Sequence, residues 1–225
     1  MATSSKQNVC STKYIKLLYC MIKRMTGLKD NLFIKEILKI KIIFFILFFI
    51  FSCQPIEVLD EVIFEYNQLP KISINAKENL INEVYEINYV DPYIDHSIKN
   101  PPILRLKDWI SQNISIFGSQ NKLIINIVDA SLKKTERENK NKKKYQEKTE
   151  FFYEIHFLIE FELYNDNNFM LATINAETKR TTTSSKFISL SEKERILDTL
   201  ILDALIDISL KSDELLKTHM SEYLL

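Results

Sequence analysis

A short apolar block near the N-terminus constrains this chain more than any other feature. It spans ten residues, Ile42 to Phe51, and a basic stretch ending at Lys41 precedes it. A helix that crosses a bilayer needs about 20 apolar residues, so this block is too short to be one. Ten apolar residues after a basic approach are typical of the hydrophobic region of an export signal. The block therefore predicts that the rest of the chain is an exported domain.

The four residues that close the block, Ile50-Phe51-Ser52-Cys53, resemble a bacterial lipobox. The resemblance implies that the Cys53 thiol receives a diacylglyceryl group, that the chain is cut between Ser52 and Cys53, and that the new amine is acylated. Several acyl chains on one residue anchor a protein stably, whereas one chain binds only marginally. Gln54 in place of aspartate resembles the sorting signal for the periplasmic face of the outer membrane. Retention at the periplasmic side of the inner membrane is the alternative.

Two further interpretations of the N-terminal region remain open. One is an uncleaved N-terminal anchor with a coincidental cysteine, and the other is an amphipathic basic segment, residues 1–40, that lies on the inner membrane. We prefer translation from Met21 or Met25, because residues 25–52 then have the length of an ordinary signal. In each case the region is left out of the fold prediction.

Charge argues against a nucleic-acid partner. The whole chain balances 30 basic and 30 acidic residues, but the first 52 residues hold nine basic and two acidic ones. Residues 53–225 are left with 21 basic and 28 acidic residues, a net charge of about −7. Nucleic-acid binding depends on Lys and Arg that neutralise phosphates. We therefore expect partners in the envelope: the membrane, through the lipid anchor, and an envelope protein.

Residue types that carry catalysis or cofactors are scarce or scattered. The chain has two glycines, Gly27 and Gly118, whereas P-loops, dinucleotide-binding turns and nucleophile elbows need several at fixed spacing. Cys53 is the one cysteine after the signal, so an internal disulfide is excluded. The three histidines show no metal-ligand spacing: His96, His156 and His219. We expect no enzyme, no cofactor and no metal site; His156, among glutamates on a strand, is expected to bind a neighbouring strand.

One loop is a candidate site. Asp91, Asp95 and His96 lie close together in sequence between a predicted strand and a predicted helix. Loops at such junctions often carry functional side chains. The turn geometry of Asp91-Pro92 is the alternative explanation for part of this pattern.

The first half of the domain predicts two strands and a helix. Alternation starts at Ile72, continues in a second run from Leu80 to Val90, and predicts strand. Pro101 and Pro102 then start a helix whose apolar stripe extends to Phe117, with Trp109 at its margin and Gly118 as the residue that ends it.

The second half predicts three strands and a helix. The strands run from Leu123 to about Leu132, from Tyr153 to Leu163, and back from Met170 after a turn at residues 165–168. A polar linker, residues 181–185, leads to a helix that starts at a capping box, residues 191–194, and kinks or restarts at Ser212-Asp213.

A dense charge run, Lys133 to Thr149, separates the first two of these strands. Such a run predicts a solvated loop. The alternative is a basic finger that touches anionic phospholipid or lipopolysaccharide headgroups.

These elements predict an α+β domain with the order β-α-β-β-β-α. We expect an antiparallel-rich sheet of about four strands with two helices on one face. The organisation is a leader and signal segment, residues 1–52, a flexible tether, residues 53–70, and a single domain, residues 71–225.

Several pieces together resemble a group of uncharacterised predicted lipoproteins of alphaproteobacteria. They are the lipobox, the strand Ile72–Asn75, Asp95-His96, Pro101-Pro102, Leu106–Trp109, Val128-Asp129-Ala130 and Glu194-Arg195. The element order is also similar to that of the lipopolysaccharide-assembly lipoprotein and of auxiliary lipoproteins of lipid-transport ABC systems. Neither resemblance implies functional residues in this chain.

The predicted function is that of a non-enzymatic accessory or assembly factor, which docks onto an envelope machine through its sheet edge or outer face. The alternative is a periplasmic binding module for a lipid or another apolar ligand. A docking protein needs a packed core and an exposed patch, whereas a carrier needs an apolar cavity of several hundred cubic ångströms.

Overall fold

The structure is a computed structural model, and it describes residues 61–140 and 148–225. The described residues all belong to one compact unit, Val58–Leu225. The predictions on the apolar block, on Ser52 and on Cys53 lie outside the described residues.

Four strands form the main sheet, in the order β2-β4-β5-β6. They are β2 (Glu78–Glu83), β4 (Lys122–Glu138), β5 (Thr149–Tyr164) and β6 (Met170–Ser184). The strands β4, β5 and β6 are antiparallel neighbours, whereas β2 lies parallel to β4. A smaller parallel pair joins β1 (Ile72–Ile74) to β3 (Ile114–Ile116). The predicted α+β class and the mostly antiparallel sheet are confirmed, and the small pair is an addition that the sequence did not predict.

Two helices complete the fold, α1 (Pro102–Asn113) and α2 (Leu190–His219). Helix α2 packs on β5 and β6, and α1 packs on β4. Short 3-10 turns lie at Tyr66–Gln68, Asp95–Ser97 and Ser221–Tyr223.

The core lies between these helices and one face of the sheet. Every second residue of β5 from Tyr153 to Leu163 is 0–1% exposed, as the period of a half-buried strand requires. Helix α2 packs against this face with an apolar stripe in which Ile201, Leu205 and Ile208 are fully buried. Each fully buried side chain of this size contributes about 1.5–3 kcal/mol relative to an exposed one. This layer contact therefore contributes strongly to the domain's stability.

Helix α1 is shorter than the sequence predicts. It ends at Asn113, because the next three residues pair with β1 instead of continuing the helix. Gly118 therefore does not end the helix; a Cβ at this position would lie 2.2 Å from the Asn75 Oδ1. Trp109 is also not marginal, since it is fully buried.

The segment before β1 packs on α1. The Asn113 Nδ2 donates to the carbonyls of Tyr66 and Leu69 at 2.8 and 3.1 Å. The Phe64 ring lies 3.6 Å from the Arg105 guanidinium carbon. Residues 64–69, which the sequence predicts to be part of a flexible tether, thus contact the domain. The first part of that predicted tether, residues 53–60, lies outside the described residues.

The charge run is strand over its first part, which corrects the predicted solvated loop. Strand β4 continues to Glu138 and pairs there with the start of β5. The Lys134 Nζ lies 4.0 Å above the Phe151 ring, and Arg137 lies above Phe152 and pairs with Glu150 at 2.8 Å. These rings and the carboxylate belong to the neighbouring strand β5, so the composition of the charge run by itself does not predict the strand. Residues 141–147, the centre of the run, lie outside the described residues.

The strand after the second hairpin turn ends later than the sequence predicts. The turn at Asn165 is confirmed, since its Oδ1 accepts from the N–H of Asn167 and Phe169, both at 2.9 Å. The predicted polar linker at residues 181–185 is wrong, because β6 continues to Ser184. Threonines favour the pleated geometry because they are β-branched.

Helix α2 starts earlier than predicted. The Ser189 Oγ accepts from the Glu192 N–H at 3.1 Å, so Ser189 and Glu192 take the positions of the capping box that was predicted two residues later. The helix then runs through Ser212-Asp213 to His219 without a restart.

We expect Ser189→Ala to lower the free energy of unfolding by about 1 kcal/mol, because an N-terminal amide loses its acceptor. Ser191→Ala is the matched control, and it should leave stability unchanged or slightly higher because Ala favours helix interiors. Urea unfolding followed by circular dichroism measures both. An equal loss in the two variants would contradict the assignment of Ser189 as the cap.

Candidate functional site

The loop between β2 and α1 extends along the edge of β4 that β2 leaves free. The Tyr85 N–H donates to the Ile127 carbonyl at 2.9 Å, where the pairing of β2 ends. Further on, the Ile94 N–H donates to the Leu132 carbonyl at 2.9 Å, and the Lys134 N–H donates to the Pro92 carbonyl at 2.8 Å. The loop therefore takes the place of a strand at this edge and covers backbone groups that would otherwise be open to pairing.

A buried carboxylate holds the loop in place. Asp95 is 1% exposed, and its Oδ1 accepts from the Leu132 N–H at 2.7 Å. The Tyr85 hydroxyl donates to the other carboxylate oxygen. A buried carboxylate is tolerated only when it is hydrogen-bonded, and here both oxygens have a donor.

Tyr85 is fitted to this donor role. Burial, and then the hydrogen bond and negative charge of Asp95, raise the pKa of Tyr85 well above its ordinary value of 10.0. The phenol therefore keeps its proton at neutral pH and continues to donate to Asp95. The pair is a structural clamp between the start and the end of the loop.

The three residues of the predicted loop site do not form one site. Asp95 points into the domain, whereas Asp91 and His96 are exposed. The His96 Nδ1 lies 3.1 Å from the Asn88 carbonyl, and its ring lies 5.3 Å from the Tyr89 ring. Within the described residues, no contact joins Asp91 to either of the other two. The structure thus gives Asp95 an architectural role.

An open groove lies beside this loop, and sequence reasoning did not find it. It has a volume of about 440 Å³. It is lined by Glu83, Tyr85, Glu86, Ile87, Tyr89, Ile103 and Leu104. The run Val84 to Val90 carries the signal, because it contains alternating apolar and polar residues but lies beyond the end of β2 at Glu83. The groove combines an apolar wall with two carboxylates at its rim.

A cluster around His156 ties three strands together on the face of the sheet away from the helices, which we call the outer face. The His156 Nδ1 lies 2.8 Å from an Asp129 carboxylate oxygen, and its Nε2 lies 3.0 Å from a Glu177 oxygen. Lys179 also binds Glu177 at 2.9 Å. The hydrogen bond from Lys179, and then that from His156, hold the pKa of Glu177 below its usual range.

This arrangement agrees with a cross-strand role for His156. Both ring nitrogens face carboxylates, so neither is directed at an open position. Among the residues that the structure describes, no group of three or more His, Cys, Asp and Glu side chains could hold a metal ion. Asp129 was not foreseen as a partner because a register shift between Ile127 and Asp129 brings it there.

The outer face carries an apolar band near the β5–β6 turn. The band consists of Leu80, Ile124, Tyr164 and Met170, one from each strand. Leu80 lies beside Ile124, and Tyr164 lies beside Met170 in the register. Leu80 is 43% exposed and Met170 is 49% exposed. Glu162 lies beside Ile124 and Lys122 lies beside Tyr164 in the register, so the band consists of two apolar pairs in adjacent rows with charged neighbours. Exposed apolar side chains grouped in this way are a candidate contact surface.

Across residues 61–140 and 148–225, none of the helices has the length and apolarity to cross a membrane.

Comparisons with known proteins give fold likenesses at low identity. No family model matches the chain. No curated protein matches it either. Bacterial lipoproteins are among the solved structures to which it is similar. One is a minor lipoprotein of Acinetobacter baumannii, with 8% identity and a TM-score of 0.36 over 67% of this chain and 96% of that one. Another is the rare lipoprotein B of Shewanella oneidensis, with 14% identity and a TM-score of 0.34 over 64% of this chain and 100% of that one.

A third solved structure is a DUF330 protein of Xanthomonas campestris, with 10% identity and a TM-score of 0.32 over 65% of this chain and 90% of that one. TM-scores at this level carry no argument about function. The functional conclusion therefore depends on the residues of this chain.

We expect Tyr85→Phe to lower the free energy of unfolding by about 1 kcal/mol at neutral pH, because Asp95 loses a donor. The pKa of Tyr85 is raised in the folded state, so the contribution of its proton is complete below the ordinary value of 10.0 and falls as pH rises above it. The difference between wild type and variant should therefore shrink in alkaline solution. Urea unfolding at neutral and alkaline pH measures it, with Tyr89→Phe, at an exposed ring, as the control. A difference that grows with pH would contradict the clamp.

Proposed function

We propose that this chain is a lipid-anchored protein of the bacterial envelope, held through Cys53, whose domain docks onto a partner protein in a non-enzymatic accessory or assembly role. The anchor is supported by the lipobox at residues 50–53 and by the ten-residue apolar block before it. Glu61, the first described residue, follows Cys53 by eight positions. A stretch this short keeps the domain close to the membrane that holds the anchor.

The filled interior is the observation that favours docking over transport of an apolar ligand. Trp109 of α1, Phe157 and Phe161 of β5 and Leu205 of α2 are all fully buried in one core cluster. The protein's own side chains therefore occupy the space between helices and sheet. A carrier would need an apolar cavity at this position.

The apolar band on the outer face supplies the proposed contact surface. Both helices cover the other face, so the band is presented on the side that they leave free. Charged side chains adjoin it on the same face: Glu162 lies beside Ile124 and Lys122 beside Tyr164. Apolar side chains mixed with polar ones are the usual composition of a non-obligate protein interface.

A periplasmic binding module for a lipid or another apolar ligand is the second candidate. The observation that favours it is the groove beside the loop, where Ile87, Ile103 and Leu104 form an apolar wall. Its volume of about 440 Å³ lies within the usual range for small-molecule sites, about 300–1,000 Å³. In this case the ligand would bind beside the clamp and not between helices and sheet.

The anchor is tested by intact mass of the membrane-extracted protein. We expect a chain that begins at Cys53 and carries added acyl mass, because the signal is removed once the thiol is lipidated. Cys53→Ala should lack that mass and keep the apolar block. An uncut wild-type chain without acyl mass would contradict the anchor, and residues 42–51 would then be a membrane attachment of another kind.

The docking surface is tested by a photo-crosslinking residue at Leu80, in cells that express the full chain. We expect a crosslinked adduct of one discrete mass from Leu80, since a partner covers the band. Leu210, which is 54% exposed on α2, is the matched control and should yield no such adduct. A crosslinker at Leu104, in the groove wall, distinguishes the docking role from the second candidate, a ligand-binding module. A small ligand bound there would give an adduct without added protein mass. Equal adducts from Leu80 and Leu210 would contradict the proposed surface.

A further inference from the structure

The end of the sheet where β4 turns into β5 concentrates cations on aromatic rings. The Nζ atoms of Lys134 and Lys186 lie 4.0 and 5.5 Å from the centre of the Phe151 ring. The Arg137 guanidinium lies 4.6 Å from the Phe152 ring. These contacts come from β4, β5 and the segment after β6, and they lie on both faces of the sheet: the cations on Phe151 share the face of the buried Tyr153, and Arg137 and Phe152 lie on the outer face. Three parts of the chain thus place cations around one end of the sheet. We call it the basic end.

Large apolar side chains stand exposed at the same end. Phe187 is 84% exposed and Leu190 is 70% exposed. Phe187 directly follows Lys186, and Leu190 comes three residues later. Ser184, the last residue of β6, lies beside Phe151 in the register, so this segment starts at the basic end. Two side chains of this size next to a group of cations cost free energy in water unless another surface covers them.

The basic end is opposite in charge to the rest of the domain. Within residues 133–140, 148–152 and 184–190 the chain has six basic and three acidic residues. Residues 53–225 together have 21 basic and 28 acidic residues. The positive charge is therefore concentrated in one place on an acidic domain, which is the condition for an oriented approach to an anionic surface.

The start of the described chain lies close to this end. Phe64 packs on Arg105, and Arg105 pairs with Asp198 at 2.7 Å. Asp198 is eight residues from Leu190, about 12 Å along α2. The eight residues from Cys53 to Glu61 reach at most about 29 Å when extended. A lipid at Cys53 would thus leave the basic end within reach of the same bilayer.

From these observations we propose that the basic end binds the anionic phospholipid surface of the membrane in which the protein is anchored. The proposal rests on the lipid anchor of the proposed function. Arg137 and Lys186 already pair with Glu150 and Glu136 at 2.8 and 2.6 Å, so the exposed Lys140 and Lys148 are the cations that face the phosphate headgroups. Phe187 and Leu190 enter the boundary between headgroups and acyl chains. Cations combined with exposed aromatic and aliphatic side chains are the composition that interfacial segments use. The contact fixes the orientation of the domain on the membrane. The apolar band lies at the opposite end of the sheet and is thereby directed away from the bilayer, toward a partner.

Fluorescence quenching tests this surface because the chain has a single tryptophan, Trp109, which is fully buried. The full chain with Phe187→Trp is reconstituted in vesicles whose acyl chains carry bromine, a contact quencher. One set contains phosphatidylglycerol and phosphatidylethanolamine, and the other contains phosphatidylcholine alone. We expect several-fold stronger quenching in the anionic vesicles, and weaker quenching at high salt, because salt screens the headgroup charge. The parent chain reports the quenching of Trp109 and is subtracted.

Charge reversal supplies the matched variants. Lys140→Glu with Lys148→Glu changes two exposed cations at the basic end, and should reduce quenching of the Phe187→Trp chain severalfold. Lys71→Glu with Lys217→Glu makes the same charge change away from the basic end and should leave quenching unchanged. Equal loss in both pairs, or equal quenching in neutral vesicles, would overturn the proposal.

Flotation separates this proposal from the proposed function. Chains that float with the vesicles but show no quenching at position 187 would overturn the membrane contact and leave the lipid anchor standing. Chains that do not float would contradict the anchor, and both proposals would fall together.

Discussion

The contact between the apolar face of β5 and α2 is the interaction on which the rest of the structure depends. Alternate residues from Tyr153 to Leu163 have to leave water on one side, and α2 supplies the complementary apolar stripe. Because this contact commits one face of the sheet to the core, the other face is left for solvent or for a partner. The separation of a closed interior from an open outer face follows from this single burial.

The edge of the sheet is closed by a different device. Strand β2 is short, and β4 extends beyond it by many residues, so part of β4 would present unpaired backbone groups. The loop that follows β2 fills this gap, and Asp95 fixes it through the Leu132 N–H and the Tyr85 hydroxyl. One buried carboxylate thereby replaces a strand, and its neighbours Asp91 and His96 remain at the surface.

The sequence predicts elements well where their pattern is local. The structure confirms the strand predicted from the alternation in β5 and the asparagine turn at residues 165–168, because each depends on residues within a few positions of one another. The sequence predicts the ends of elements less accurately. Lys133 to Glu138 has the composition of a loop, and it is a strand because the rings and carboxylates of β5 lie beside it. Ile114 ends α1 early because β1, some forty residues away in sequence, pairs with it.

The candidate surfaces divide in the same way. The sequence by itself determined the acidic balance of the domain and the α+β class, and it predicts the export signal and the lipobox at Cys53, since each is written in consecutive residues or in composition. Only the tertiary structure decided that Asp95 is buried, that Asp129 and Glu177 meet His156, and that Lys134 and Lys186 both lie on the Phe151 ring. These contacts join residues distant along the chain, and their register depends on the packing of the whole sheet, which no local periodicity encodes.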